Sequence, residues 1–246
     1  MSGVVLITGA SSGLGAEMAR QFGALGYDLA LCARRVERLE TLAGEIRATG
    51  RRVEIAPLDV TDFDAVPEVF GDFAKKFGTI DRVIVNAGLG KGAPLGTGRA
   101  DANRATAMTN FVGALAQTEA ALEIFRRQQR GHLVLISSMS ALRGMRKSMT
   151  TYAATKAGLA SIAEGLRSEH IKGLDVSVIY PGYIRSEMNE HVEQKTLFMV
   201  GTETGVRAMV RAIEKRRPKA CVPAWPWVPI GVAMKLLPIE VVRRLT

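Results

Sequence analysis

Short apolar runs of β-forming residues recur along the chain, and between them apolar positions fall at helical spacing. The runs at 3–8, 28–33, 52–57, 81–86, 132–137, 174–180 and 219–222, rich in Val, Ile, Leu or Ala, predict strands. The stretches near 13–25, 36–48, 62–77, 101–129, 152–171 and 203–216 predict helices. Such alternation joins parallel strands through right-handed crossovers, with helices on both faces. The expected fold is α/β, a doubly wound parallel sheet in a single Rossmann-type domain of three layers. That domain is expected over 1–222, with an apolar and basic C-terminal extension at 223–246. A chain of 246 residues is long enough for one such domain and a sizeable core. No solenoid-period repeat or low-complexity stretch competes with this reading.

Two segments carry chemistry. The first strand runs into Thr8-Gly9-Ala10-Ser11-Ser12-Gly13-Leu14-Gly15, a strand, a tight turn and a helix N-terminus. Gly9 permits the turn, Gly13 lets backbone amides approach a pyrophosphate, and Gly15 lets the helix pack on the strand; the free N–H groups and the helix dipole favour an anion. A glycine-rich βα turn without a ligand remains the alternative. In Tyr152-Ala-Ala-Thr-Lys156, the i, i+4 spacing puts a phenol and an ammonium on one helix face, where the lysine charge is expected to lower the tyrosine pKa. An acid–base pair and an ordinary surface pair both fit that spacing.

Taken jointly, the motifs resemble the short-chain dehydrogenase/reductase family. Thr-Gly-x-x-x-Gly-x-Gly at 8–15, Asn-Ala-Gly at 86–88, Tyr-x-x-x-Lys at 152–156 and Pro-Gly at 181 and 182 follow the family's order and distances, over roughly residues 3–222. The resemblance implies a dinucleotide held by Gly9, Ser11, Ser12, Gly13, Leu14 and Gly15. It further implies that Asp59 and Val60 meet the adenine, with helix capping by Asp59 as the alternative, and that Asn86, Ala87 and Gly88 adjoin the cofactor. Val85 stands where the family more often has asparagine. Pro181, Gly182, Ile184 and Ser186 match the segment that holds the nicotinamide carboxamide, with Ser186 where threonine is commoner.

An NAD enzyme of this kind is expected to carry an acid at the end of the second strand, to accept from the ribose 2′-hydroxyl. This chain has Arg34 and Arg35 there, which implies NADP(H) in preference to NAD(H), with Arg34 beside the 2′-phosphate together with Arg35 and Ser11 or Ser12. Ordinary solvated cations at a helix start are the alternative. The resemblance assigns catalysis to Asn110, Ser138, Tyr152 and Lys156, with Ser140 as fallback for Ser138. The interval from Ser138 to Tyr152 is one residue longer than the family norm, and the extra residue is placed in 145–151. The implied chemistry interconverts a carbonyl and an alcohol. Hydride passes between nicotinamide and substrate carbon while Tyr152 gives or takes the proton; Lys156 bonds the ribose and steadies the phenolate; Ser138 holds the substrate oxygen; and Asn110 links the lysine to solvent through water.

Residues 187–201 are expected to form a substrate lid, in which Met188, Leu197, Phe198 and Met199 either line an apolar site or pack in the core. The net charge of +9 is concentrated at the C-terminal end: residues 201–246 hold nine Lys or Arg against three Asp or Glu. There Trp225, Trp227 and apolar residues alternate with cations, a composition suited to a membrane surface or to a second subunit. Cys32 and Cys221 read as small apolar groups, without the spacing of a metal site or a disulfide framework. No signal peptide or long uncharged apolar segment is seen, so a soluble cytoplasmic protein is expected, at most peripheral at a membrane. Three functions remain in contention: an NADP(H) oxidoreductase forming a homodimer or homotetramer, a catalytically silent dinucleotide-binding regulator or scaffold, and a nucleic-acid binder supported by charge alone.

Overall fold

The computed structural model describes residues 3–187 and 198–245. Seven parallel strands form one sheet in the order β3-β2-β1-β4-β5-β6-β7. They are β1 (Val4–Thr8), β2 (Asp28–Ala33), β3 (Val53–Pro57), β4 (Arg82–Val85), β5 (Gly131–Ile136), β6 (Leu174–Pro181) and β7 (Lys219–Val222). β1, β4 and β5 are buried along their whole length, as expected for strands covered on both faces.

The first helices are α1 (Gly13–Ala24), α2 (Val36–Arg47), α3 (Ala65–Phe77), α4 (Ala100–Ala107) and α5 (Gly113–Gln128). They are followed by α6 (Met149–Ser168), α7 (Thr202–Glu214), α8 (Ala224–Leu236) and α9 (Ile239–Leu245). Two cores lie on opposite sheet faces. One gathers Phe22, Leu39, Met209 and Ile213 from α1, α2 and α7; the other gathers Phe70, Phe125, Leu159 and Trp227 from α3, α5, α6 and α8. This is the doubly wound, three-layered fold expected.

The helix expected over 101–129 is interrupted. Between α4 and α5 lies a π-helical turn, Met108–Val112. There Gly113 approaches the loop after β3 so closely that a Cβ would stand 2.6 Å from the Val60 carbonyl oxygen. The wider turn carries Asn110, and π turns of this kind recur at functional sites. The C-terminal extension is helical and α8 is integral to the fold, since Trp227 is 6% exposed and sits in the second core.

At the amino edge of the sheet, Arg82 Nε donates to His132 Nδ1 at 3.0 Å while Arg82 Nη1 pairs with Glu214 at 2.6 Å. The imidazole proton is therefore on Nε2, 2.8 Å from Ser177 Oγ. Burial, with the nearby Arg82 and Arg216 charges, pushes the His132 pKa down to about 3.

Candidate active site

The strand order reverses between β1 and β4, the position where open α/β sheets bind ligands beyond the carboxyl ends of their strands. The loops leaving those two strands are tied together. Thr8 Oγ1 accepts from the backbone N–H groups of Asn86 (3.0 Å) and Ala87 (3.1 Å), and Asn86 Nδ2 donates to the Thr8 carbonyl at 2.9 Å. Asn86 thus holds the cradle together, while Val85 is buried in the core. Gly9 has φ +62°, and a Cβ on it would lie 2.8 Å from Ala87 Cα. A Cβ on Gly15 would strike the Gly9 carbonyl oxygen. Glycine is thus required at both places, and the backbone between them is left open to a phosphate. Leu14 packs against the first core, and Ser12 caps α1 in extended conformation without a side-chain cap bond. No acid occupies the first turn of α1, so its positive end is not neutralised by the helix itself. The cradle fits a dinucleotide phosphate.

The two arginines after β2 part company. Arg34 is 63% exposed in its side chain and lies 3.7 Å from Asp59 Oδ2. Arg35 is the one brought to the turn: its Nη2 donates to Ser12 Oγ at 2.6 Å and its Nε to Ser11 Oγ at 3.4 Å. Of the two arginines, Arg35 is thus the one that meets Ser11 and Ser12, while Arg34 stands beside Asp59. Asp59 Oδ1 accepts from the Thr61 N–H (3.0 Å) and hydroxyl (2.8 Å). Burial pushes the Asp59 carboxyl up, but the Thr61 hydrogen bonds and Arg34 outweigh it and leave the pKa below the ordinary value. Val60 is buried.

Around the carboxyl ends of β4 and β5 the four expected catalytic residues converge. Asn110 is fully buried; its Oδ1 accepts from Leu89 N–H at 2.6 Å and its Nδ2 donates to the Leu89 carbonyl at 2.8 Å. Lys156, 5% exposed, donates from Nζ to the Ile136 carbonyl at 2.9 Å, and its own carbonyl accepts from Ser137 Oγ at 2.7 Å. A Cβ on Gly88 would lie 3.3 Å from Asn110 Oδ1 and 3.6 Å from Lys156 Nζ, so the three meet at one point. Lys156 Nζ is 5.8 Å from the centre of the Tyr152 ring.

Burial pushes Lys156 down to about 8 and pushes the Tyr152 phenol up, with a hydrogen bond from Ser138 pulling the phenol the other way. The expected lowering of Tyr152 by Lys156 is not found: desolvation dominates and Lys156 is not among its causes. Of the two serines weighed, Ser138 is the one that reaches Tyr152; its oxygen also accepts from the Ser140 N–H at 3.2 Å. Ser140 is buried and its hydroxyl has no partner among the described residues.

At the end of β6, Pro181 is buried and Gly182 N–H donates to the Val222 carbonyl at 2.9 Å. The Trp227 indole lies on Gly182 and meets the Tyr183 ring edge-on at 5.4 Å. Ile184 turns into the first core, and Ser186 lies over the α1 N-terminus, 3.4 Å from where a Gly13 Cβ would stand. Phe198 is 54% exposed, Met199 is partly buried, and Met188 and Leu197 lie outside the described residues. The sequence did not single out Arg38, Glu187 or Trp227 as belonging to this region. Trp227 stood in the sequence only within an apolar and basic C-terminal run, and nothing local marked the first two.

The family model described as short chain dehydrogenase matches residues 3–197. An uncharacterised oxidoreductase of Mycobacterium tuberculosis is 50% identical over 243 residues, covering 98% of this chain and 96% of that protein. An alcohol dehydrogenase of the archaeon Thermococcus sibiricus, solved with 5-hydroxy-NADP, superimposes with a TM-score of 0.80 at 25% identity, covering 90% of this chain and 96% of that one. A short-chain dehydrogenase/reductase of Burkholderia phymatum, solved with NAD, shares the fold with a TM-score of 0.83 at 21% identity, covering 99% and 95%. The chain belongs to the short-chain dehydrogenase/reductase family and is an oxidoreductase of that family. Among the described residues there is no metal-holding cluster and no helix long and apolar enough to cross a membrane.

Proposed function

We propose that the protein is an NADP(H)-dependent oxidoreductase that interconverts a carbonyl and an alcohol, with Tyr152 as general acid and base. The observation that carries this reading is the meeting of Asn110, Lys156 and Gly88 beside Tyr152 and Ser138, at the open end of a glycine cradle. Gly9, Ser11, Ser12, Gly13, Leu14 and Gly15 would hold the dinucleotide, with Asp59, Val60, Asn86, Ala87, Gly88 and the segment Pro181, Gly182, Ile184 and Ser186. A nicotinamide bound there supplies or accepts the hydride.

Tyr152 moves the proton at its phenolic oxygen. Because burial raises its pKa, the phenol keeps its proton at neutral pH and is poised as an acid toward a carbonyl oxygen. Lys156 is charged below about pH 8 and, 5.8 Å from the centre of the Tyr152 ring, would bond the nicotinamide ribose beside it. Ser138 fixes the substrate oxygen against Tyr152, and Asn110 holds the Leu89 backbone against Lys156 and leads from the lysine toward solvent. Leu95, Tyr183 and Phe198 are exposed on the loops after β4 and β6, which supports an apolar substrate.

The outer faces of α5 and α6 would build a homodimer or homotetramer, an inference from the family. On α8, Val228, Val232 and Leu236 repeat every four residues on an exposed face beside Trp225, 79% exposed. That stripe supports a contact through 223–246 with a membrane surface or a second subunit. If liposomes pellet the wild type but not the Trp225→Ser, Leu236→Ser variant, the membrane is the occupant; loss of subunit assembly instead assigns the stripe to a subunit.

NADPH and NADH oxidation across apolar ketones and aldehydes tests the main reading. The reading expects turnover with at least one carbonyl, faster with NADPH. Binding of the dinucleotide with no turnover across the series would favour a silent regulator.

A further inference from the structure

One carboxylate sits where the cations of the proposed nucleotide site converge. Glu187 Oε1 and Oε2 each accept from Arg35, from Nη1 and Nη2 respectively, both at 2.9 Å in a two-pronged pair. Arg38 Nη1 stands 3.1 and 3.2 Å from the same two oxygens. Ser12 also bonds to Glu187, and the Arg35 nitrogen that meets Oε2 donates to Ser12 Oγ as well. A two-pronged carboxylate–guanidinium pair has the geometry and charge that a phosphate presents to arginine. Arg38 lies one turn beyond Arg35 at the start of α2, and Glu187 follows directly on Ser186, which covers the N-terminus of α1.

Resting on the reading of this pocket as an NADP(H) site, we propose that Glu187 is an internal stand-in for the ribose 2′-phosphate and, with Arg38, sets how strongly the protein discriminates between phosphorylated and unphosphorylated nucleotides. A nucleotide with a 2′-phosphate takes over Arg35, Arg38 and Ser12 and must displace the Glu187 carboxylate. A nucleotide without one leaves the ion pairs intact, so the two cations are neutralised in either case. Glu187 therefore narrows the preference that two arginines alone would impose. Its partners hold its pKa down to about 2, Arg35 and Ser12 more strongly than Arg38, so it competes as an anion throughout the neutral range.

The experiment uses 2′,5′-ADP and 5′-AMP as probes, which differ only in the 2′-phosphate, with binding followed by calorimetry at fixed ionic strength. Glu187→Gln keeps the shape and removes the charge. It is expected to tighten 2′,5′-ADP about tenfold and to change 5′-AMP less than twofold, while Glu187→Asp stays within about threefold of wild type for both. Arg38→Gln is expected to weaken 2′,5′-ADP about tenfold and to leave 5′-AMP unchanged. If 2′,5′-ADP binds the wild type and Glu187→Gln equally well, or if both probes tighten together, the proposal is overturned while the NADP(H) reading stands. If neither Glu187→Gln nor the wild type prefers 2′,5′-ADP to 5′-AMP, the NADP(H) reading falls and takes the proposal with it.

Discussion

The side-chain amide of Asn110 pairs with both backbone groups of Leu89, accepting from its N–H at 2.6 Å and donating to its carbonyl at 2.8 Å. A π-helical turn presents this amide, and the loop it fixes borders Lys156 at Gly88. Asn110 is therefore a structural tie as well as a candidate member of the catalytic group.

Asn110→Ala leaves two backbone groups of the partly buried Leu89 without their side-chain partner. Each unsatisfied group costs about 1–3 kcal/mol, so the variant is expected to lose about 3 kcal/mol in urea unfolding. A change below about 0.5 kcal/mol would show that the loop does not depend on the amide.

Gly182 and Trp227 form a second tie, between the candidate nicotinamide segment and α8. A Cβ at 182 meets the indole, so Gly182→Ala is expected to destabilise by roughly 1–3 kcal/mol through overpacking. In a Trp227→Leu background the same substitution should cost less than half as much. Simple additivity across the double-mutant cycle would mean that the two do not touch in solution.

Lys156 carries a pH signature. Its folded pKa of about 8 lies below the ordinary lysine value, so between the two the unfolded chain binds more protons on this residue than the folded one. Its contribution makes unfolding harder as pH rises through that window. In 13C-lysine spectra of the nucleotide-free protein, one resonance should titrate near 8 and vanish in Lys156→Met. Titration of every lysine above about 10, the ordinary range, would remove the buried ammonium from the account.

His132 predicts an effect of acid. Its folded pKa of about 3 is far below the ordinary histidine value of 6.5, so below 6.5 the unfolded chain takes up a proton that the folded one refuses. Stability linked to His132 is present above 6.5 and is lost progressively as pH falls toward 3. Urea unfolding of His132→Asn at a series of pH values should show a shallower acid loss than wild type. Parallel curves would place the acid sensitivity elsewhere.

The strands, the glycine turn and the tyrosine–lysine spacing were legible in the sequence because each is written locally, in periodicity or in a few adjacent residues. The π turn at 108–112 was not, since it inserts into a helical pattern whose apolar spacing it barely disturbs. That Arg35 meets Ser12 while Arg34 meets Asp59 depends on the turn direction after β2, which adjacent cations do not reveal. Glu187 and Arg38 are 149 residues apart and meet only because the segments leaving the parallel strands β6 and β2 both start from the carboxyl end of the sheet. The expected effect of Lys156 on Tyr152 treated charge alone; burial of both groups supplied the larger shift.

The most direct measurement is the comparison of turnover and nucleotide affinity in Tyr152→Phe, which removes one hydroxyl and keeps the ring. With a carbonyl that the wild type reduces, the account predicts a fall in turnover of at least about 10²–10⁴-fold, the range that a general acid contributes, with NADPH affinity within about threefold. Undiminished turnover in the purified variant would contradict it.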